Sequence, residues 1–200
     1  MKEGEVIIIF ARNLLFGTVK TRLAASVGDH QAMEVYKQLS QHTKSITDAL
    51  PVHKIVFYST FVDHNDEWDN KGYSKQVQFG NDLGERMKNA FSFVFRSGYS
   101  KAVIIGTDCP ALDENIILDA FKKLDDADVV IGPAYDGGYY LLGLKQLHAA
   151  LFDDMQWSTT SVLPETIKRC RSNHLSFVLL QQLHDVDEEK DLLHLKLIQA

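Results

Sequence analysis

The sequence predicts one α/β domain over residues 1–200, with a largely parallel sheet covered by helices on both faces. Three observations carry this expectation. Short apolar runs recur along the chain and are bounded by turn residues, as buried strands require. Longer segments with helical spacing separate them. No internal repeat, low-complexity tract or linker interrupts the alternation.

The elements follow in order. "VIIIF" (6–10) reads as a fully buried strand. Ala32, Tyr36, Leu39, Thr43, Ile46 and Leu50 step by three and four, which predicts an amphipathic helix over about 29–49 that stops before Pro51. "VHKIVFYS" (52–59) reads as a strand, 61–73 as a polar loop and "KQVQF" (75–79) as a short strand. Asp82 and Glu85 have capping-box spacing and open a helix with Leu83, Met87, Ala90, Phe91 and Val94 on one face; Gly98 marks its end. "KAVIIG" (101–106) is a strand, and Ile116, Ile117, Ala120, Phe121 and Leu124 mark the next helix. Two strands follow, 127–134 and 138–144. A helix over about 160–171 tolerates Pro164 in its first turn. A strand at 175–180 and a helix at about 187–198 close the chain.

Bulk properties narrow the function. The net charge of −6 argues against a general nucleic-acid binder, which carries a basic face. No apolar run approaches the roughly 20 residues of a membrane span, and the N-terminal "MKEGEV" lacks a signal-peptide apolar region. Cys109 and Cys170 form no CxxC pair and no zinc-spaced cluster, which suits a reducing compartment. The expectation is a cytoplasmic protein with no membrane and no nucleic-acid partner.

Ligands on parallel sheets bind beyond the carboxyl ends of the strands, so the segments after strands carry the chemistry. "FARNLLFGTVKTRL" (10–23) concentrates positive charge at the first strand exit: Gly17 permits close approach, and Lys20 and Arg22 can neutralise phosphate oxygens. The plainer alternative is a solvated basic turn opening a helix. The segment is neither a P-loop nor a dinucleotide GxGxxG. In "IIGTDCPAL" (104–112), Asp108 leaves a buried strand and can hold Mg²⁺ or Mn²⁺, hard ions that take oxygen ligands; alternatively it caps the helix near Asp113 or closes an Asx turn. Cys109 reads as a small buried residue. In "GPAYDGGYYLLGL" (132–144), Asp136 and its glycines face a ligand or simply form a type I′ hairpin, the favoured local reading. Trp157 in "MQWSTTSV" (155–162) forms a pocket rim or is a buried residue before a helix cap. In "LHDVDEEKDLL" (183–193), Asp187 joins Asp108 around a metal or caps the last helix, and His184 is unremarkable.

Taken together, "FARNLLFGTVKTRL", "GNDLGERMKNAF", "IIGTDCPAL", "GPAYDGGYYLLGL", "FDDMQWSTTSV" and "DVDEEKDL" resemble, in order and over nearly the whole chain, a bacterial group of glycosyltransferase-like nucleotide-diphospho-sugar transferases. That group is linked to arsenosugar biosynthesis and to radical-SAM and selenium-associated gene neighbourhoods. The resemblance implies a three-layer, GT-A-like, Rossmann-like fold with a mostly parallel mixed sheet, shared with molybdenum-cofactor and phospholactate nucleotidyltransferases. It implies nucleotide and phosphate binding by Ala11, Arg12, Gly17, Lys20 and Arg22, metal binding by Asp108 and Asp187, and a donor or acceptor pocket at Asp136, Gly137, Gly138 and Trp157. Asp108, Asp136 and Lys20 would then be catalytic. The partners would be a nucleotide or sugar nucleotide and a small acceptor, with Mg²⁺ or Mn²⁺ as cofactor. The reaction would be glycosyl transfer, with nucleotidyl transfer or non-catalytic nucleotide binding as alternatives. The first loop departs from the group's usual "YPEPGKVKTRL": Leu14 and Phe16 replace prolines and Thr18 replaces a basic residue. Glu188 stands where the related enzymes' "VDTPEDL" has threonine. A dehalogenase-class phosphatase is excluded, because it needs a DxD pair where this chain reads "FARN".

Overall fold

A computed structural model describes residues 4–198. The strands are β1 (Glu5–Ala11), β2 (His53–Tyr58), β3 (Ser74–Val77), β4 (Lys101–Ile105), β5 (Val129–Pro133), β6 (Tyr139–Leu144) and β7 (Phe177–Leu179). The helices are α1 (Thr21–Val27), α2 (Asp29–Asp48), α3 (Leu83–Arg96), α4 (Glu114–Lys123) and α5 (Val162–Ser172), with 3-10 segments at Ala149–Leu151 and Glu189–Ile198. The strands form one mixed sheet in the order β3-β2-β1-β4-β6-β5-β7. Only β6 runs antiparallel to its neighbours.

The two-residue period of the strands divides the core. Ile7, Ile9, Val103, Ile105, Val130 and Leu141 face α2 and α4, where Ile46, Ile117, Phe121 and Leu124 meet them. Val6, Ile8, Ala102, Ile104, Ile131 and Leu142 face α3 and α5, where Met87, Phe91, Val94 and Cys170 meet them. Both faces are apolar, so β1 and β4 read as continuous hydrophobic runs. The expected three-layer α/β fold is the observed one.

Caps set the helix starts. Asp82 Oδ1 accepts the Glu85 amide at 2.8 Å, while the Glu85 carboxylate reaches back to the Asn81 amide at 2.8 Å rather than to that of Asp82. Asp113 Oδ1 accepts the Ile116 amide at 2.8 Å, so Asp113 caps α4 and Asp108 is released from that role.

Four local features add to or correct these expectations. Helix α1, given no bounds by the sequence reading beyond a helix opened by the basic turn, is a two-turn element whose buried Leu23 packs with Ala32, Val35, Leu39 and Val186; seven residues are too short for periodicity to reveal. The segment at 61–73 is the expected polar loop, and it also buries Trp68 against Tyr73, with ring centres 5.1 Å apart. The closing segment is a 3-10 helix, not an α-helix. Leu192 and Leu195, three apart, stack on one side against the α1–α2 cluster as three-residue turns require. Its start is capped by Asp191, whose Oδ2 accepts the amides of Asp187 and Glu188, and not by Asp187. Strands β3, β5 and β7 are each shorter than the apolar runs that announce them.

Core and cap differ in worth. Phe121 is fully buried, so Phe121→Ala is expected to lower unfolding free energy by about 3–5 kcal/mol. Asp82→Ala is expected to cost about 1 kcal/mol. Urea unfolding of the two variants measures the contrast.

Candidate functional site

The chain leaves β1 for β2 and β3 on one side, then returns through β4 to the other side of β1. The loops after β1 and β4 therefore diverge, and the crevice between them is where an open α/β sheet holds a ligand. The ends of β5 and β7 and the start of β6 open on the same edge, because β6 alone runs antiparallel. A cavity of about 660 Å³ lies there, within the range of small-molecule sites.

Lys20 stands at its centre. Its backbone takes a left-handed conformation (φ 49°) just before α1, a strained geometry for a residue with a side chain. Its ammonium forms an ion pair with Asp108 and a second with Asp187 Oδ1 at 3.1 Å. The Lys20 side chain is only 5% exposed. Burial works against its charge, but the carboxylates of Asp108 and Asp187 outweigh burial and hold its pKa above the usual lysine value.

A third carboxylate, Asp185, was not among the residues expected from the sequence. Burial first, then the charges of Asp108, Asp136 and Asp187, push its pKa up to about 8, with Lys20 opposing. Its Oδ1 is buried without a hydrogen-bond partner. Among the described residues, no group of three or more His, Cys, Asp or Glu side chains is arranged to hold a metal ion. The Lys20 ammonium holds the ground between Asp108 and Asp187.

The wall beneath β1 is pinned by Tyr36 of α2. Its hydroxyl donates to the Arg12 carbonyl at 2.9 Å and accepts the Arg12 amide at 2.8 Å. Burial is the main reason its pKa is pushed up to about 12. Arg12, Arg22 and Arg86 also line the cavity, and among the described residues none of the three has a carboxylate partner. Arg86 comes from "GNDLGERM" and is tethered by Nε to the Gly80 carbonyl at 3.1 Å. Gln78 spends its amide nitrogen on the carbonyls of Phe57 (2.9 Å) and Ala11 (3.4 Å).

Asp136 and Trp157 form the opposite wall. Asp136 Oδ1 accepts the Gly138 amide at 2.8 Å, an Asx turn. Gly137 alone in this turn has positive φ, so the expected type I′ hairpin, which needs two such residues, is replaced by a longer connection between β5 and β6. A Cβ on Gly137 would lie 2.6 Å from the Thr160 backbone. The turn is thereby locked against the loop that follows Trp157. Trp157 lies across α3 at Gly84, where a Cβ would approach its indole nitrogen to 2.1 Å. Ser158 beside it also has left-handed backbone (φ 60°).

Of the residues expected from the sequence, Ala11, Arg12, Lys20, Arg22, Asp108, Asp136, Gly138, Trp157 and Asp187 line the cavity. Gly17 and Gly137 do not. Gly17 is exposed at a turn with φ 72°, and Leu14, Leu15 and Phe16 beside it face solvent. The departures in the first loop therefore lie off the cavity wall. Asp185, Tyr36, Gln78 and Arg86 were missed as site residues, although Arg86 sits inside one of the long motifs. His184, expected to be unremarkable, is stacked between Tyr135 and His194 at 3.9 and 4.1 Å.

Residues 42–159 match DUF2064, a family described as an uncharacterized protein conserved in bacteria. The chain belongs to the DUF2064 family. This DUF2064 chain is 31% identical to a provisionally named nucleotide-diphospho-sugar transferase from Desulfovibrio desulfuricans G20, over 92% of this chain and 83% of that one, with a TM-score of 0.86. It shares its fold with 4-diphosphocytidyl-2C-methyl-D-erythritol synthase of Anaerococcus prevotii DSM 20548, at 12% identity over 98% and 96% of the two chains and a TM-score of 0.58. Rv0371C of Mycobacterium tuberculosis H37Rv, solved in complex with manganese, matches at 12% identity over 96% of each chain, with a TM-score of 0.55. No curated protein matches the sequence.

Asp185 gives a stability test. Its folded pKa lies above its unfolded value of about 3.9. The folded state therefore binds more protons between these values and loses stability as the pH rises through them. With chelator present, Asp185→Asn is expected to unfold at higher temperature than the wild type at pH 8, and the gain is expected to shrink as the pH falls toward 4. Calorimetric melts across this range check it.

Proposed function

We propose that this DUF2064 protein is a metal-dependent transferase that binds a nucleotide or sugar nucleotide. Its preferred reaction is glycosyl transfer from a nucleotide-diphospho-sugar to a small acceptor. The observation that carries the proposal is the convergence of Lys20, Asp108 and Asp187, from three separate strand exits, in one cavity of a nucleotide-diphospho-sugar-transferase fold.

The residues present suit a divalent cation. Asp108 and Asp187 offer hard oxygen donors, and a cation, the Lys20 ammonium, already lies in contact with both. The buried, unpartnered Asp185 Oδ1 places a further oxygen near them. Mg²⁺ binds through one or two carboxylates and completes its shell with water and phosphate oxygens, so two carboxylates suffice. The manganese reported for Rv0371C, a protein of the same fold, supports the choice of metal. Bound there, the metal would neutralise charge developing on a leaving diphosphate.

The chain's own groups have separable tasks. Asp108 and Asp187 hold the cation. Arg12, Arg22 and Lys20 meet phosphate oxygens, their fixed positive charges matching charge that builds in the transition state. Asp136, with one carboxylate oxygen spent on Gly138, keeps the other for sugar or acceptor hydroxyls. Trp157 supplies a flat apolar face beside them.

Nucleotidyl transfer is the second reading. Three arginines free of carboxylate partners, together with Lys20, suit a nucleoside triphosphate more than the loss of a basic residue at Thr18 suggests. The products separate the two readings: nucleoside diphosphate marks glycosyl transfer, and pyrophosphate marks nucleotidyl transfer. A thermal-shift panel of nucleoside triphosphates and sugar nucleotides, with Mg²⁺ or Mn²⁺, finds the substrate class. With that substrate, Asp108→Asn is expected to lower turnover on the order of 10²–10³-fold. Full activity of this variant defeats both readings.

A further inference from the structure

We infer that Lys20 is an exchangeable counter-ion, which occupies the cation position between Asp108 and Asp187 until a divalent metal evicts it toward a bound phosphate. The inference rests on the reading that these two aspartates hold the metal.

The geometry points this way. The Lys20 ammonium contacts both carboxylates, and its side chain is almost completely buried. A cation taking oxygen from Asp108 and Asp187 must enter the space that the ammonium fills, so the two cannot be held at once. The backbone can stay in place during the exchange: the Lys20 carbonyl is committed to the Ala24 amide at 2.8 Å, the first turn of α1. Only the flexible four-carbon stem has to turn.

The direction of the exchange follows from charge. Asp108, Asp136 and Asp187 face one ammonium in this half of the cavity, with the Asp185 carboxyl beside them, so a doubly charged ion gains more from the acids than the lysine does. The evicted ammonium needs an anion, and Arg12 and Arg22 mark the side on which a phosphate is held. Metal and phosphate ligand therefore help one another to bind, each by handling one half of the same ion pair, and the coupling is reciprocal. Without an anion, metal binding carries the penalty of an ammonium left unpaired.

The test uses Mn²⁺ alone, with binding read by the electron paramagnetic resonance signal of the free ion. Lys20→Met is expected to bind Mn²⁺ at least about tenfold more tightly than wild type, corresponding to about 1.4 kcal/mol. Arg22→Met, which removes a cavity charge that does not touch the acids, is expected to change the affinity much less. Equal affinity in Lys20→Met and wild type overturns the inference. So does equal tightening by both variants, which marks long-range charge instead of occupancy. If no variant binds Mn²⁺, even with nucleotide present, the metal reading itself falls and takes the inference with it. Should Lys20→Met fold poorly, the wild type supplies the second measurement. Labelling of Lys20 by an amine-reactive reagent, read by mass spectrometry, is expected to rise several-fold on adding Mn²⁺. Unchanged labelling in Mn²⁺-bound protein overturns the exchange.

Discussion

The ion pairs of Lys20 with Asp108 and Asp187 tie together three strand exits that lie far apart in the chain, the widest spanning 167 positions. β1, β4 and β7 are brought to one edge by the sheet, and the Val186 amide, donating to the Asp108 carbonyl at 2.9 Å, joins the segments beyond β4 and β7. The buried ammonium with two carboxylates adds the loop after β1 to them, because a charge removed from water must keep its partners. Around this centre the other groups take their roles. Tyr36 satisfies both polar groups of the Arg12 backbone, so the exit of β1 needs no strand partner there. Asp185 is buried among like charges, and burial first, then those charges, makes its carboxyl resist ionisation.

The cavity is divided by charge. Arginines stand toward β1–β3 and α3, aspartates toward β4–β7, and Lys20 lies between. An overall charge of −6 conceals this arrangement, since a small basic wall contributes little to the sum. A ligand with an anionic middle and a polar, hydroxyl-rich end matches such a cavity in both halves. That complementarity gives the transferase reading a physical basis beyond the likeness of fold.

Close packing holds the walls in register. Trp157 rests on α3 only because residue 84 has no side chain, and the Asp136 turn rests on Thr160 only because residue 137 has none. Each glycine replaces a clash with a contact between loops that carry site residues. The left-handed backbone at Lys20 and Ser158 belongs to the same pattern: strain at functional loops is carried by a surrounding fold that leaves no alternative.

The layers of the fold are legible in the chain. Apolar runs at β1 and β4 and the three-and-four spacing of α2, α3 and α4 are local consequences of burial, and local periodicity reports them. It also marked the strand exits, and with them Lys20, Arg22, Asp108, Asp136 and Asp187, since those residues sit where runs of apolar residues end. What it left open depends on contacts between distant segments. Asp185 and Asp187 are two residues apart and look alike in the chain, yet one pairs with Lys20 and the other is buried unpaired. Tyr36 reads as one more core position on α2, and only the approach of β1 turns its hydroxyl into a clamp. Leu192 and Leu195 of the last helix find their partners on the distant α1–α2 surface. Tertiary structure decided these points because charge pairing and burial act across space, where spacing along the chain carries no information.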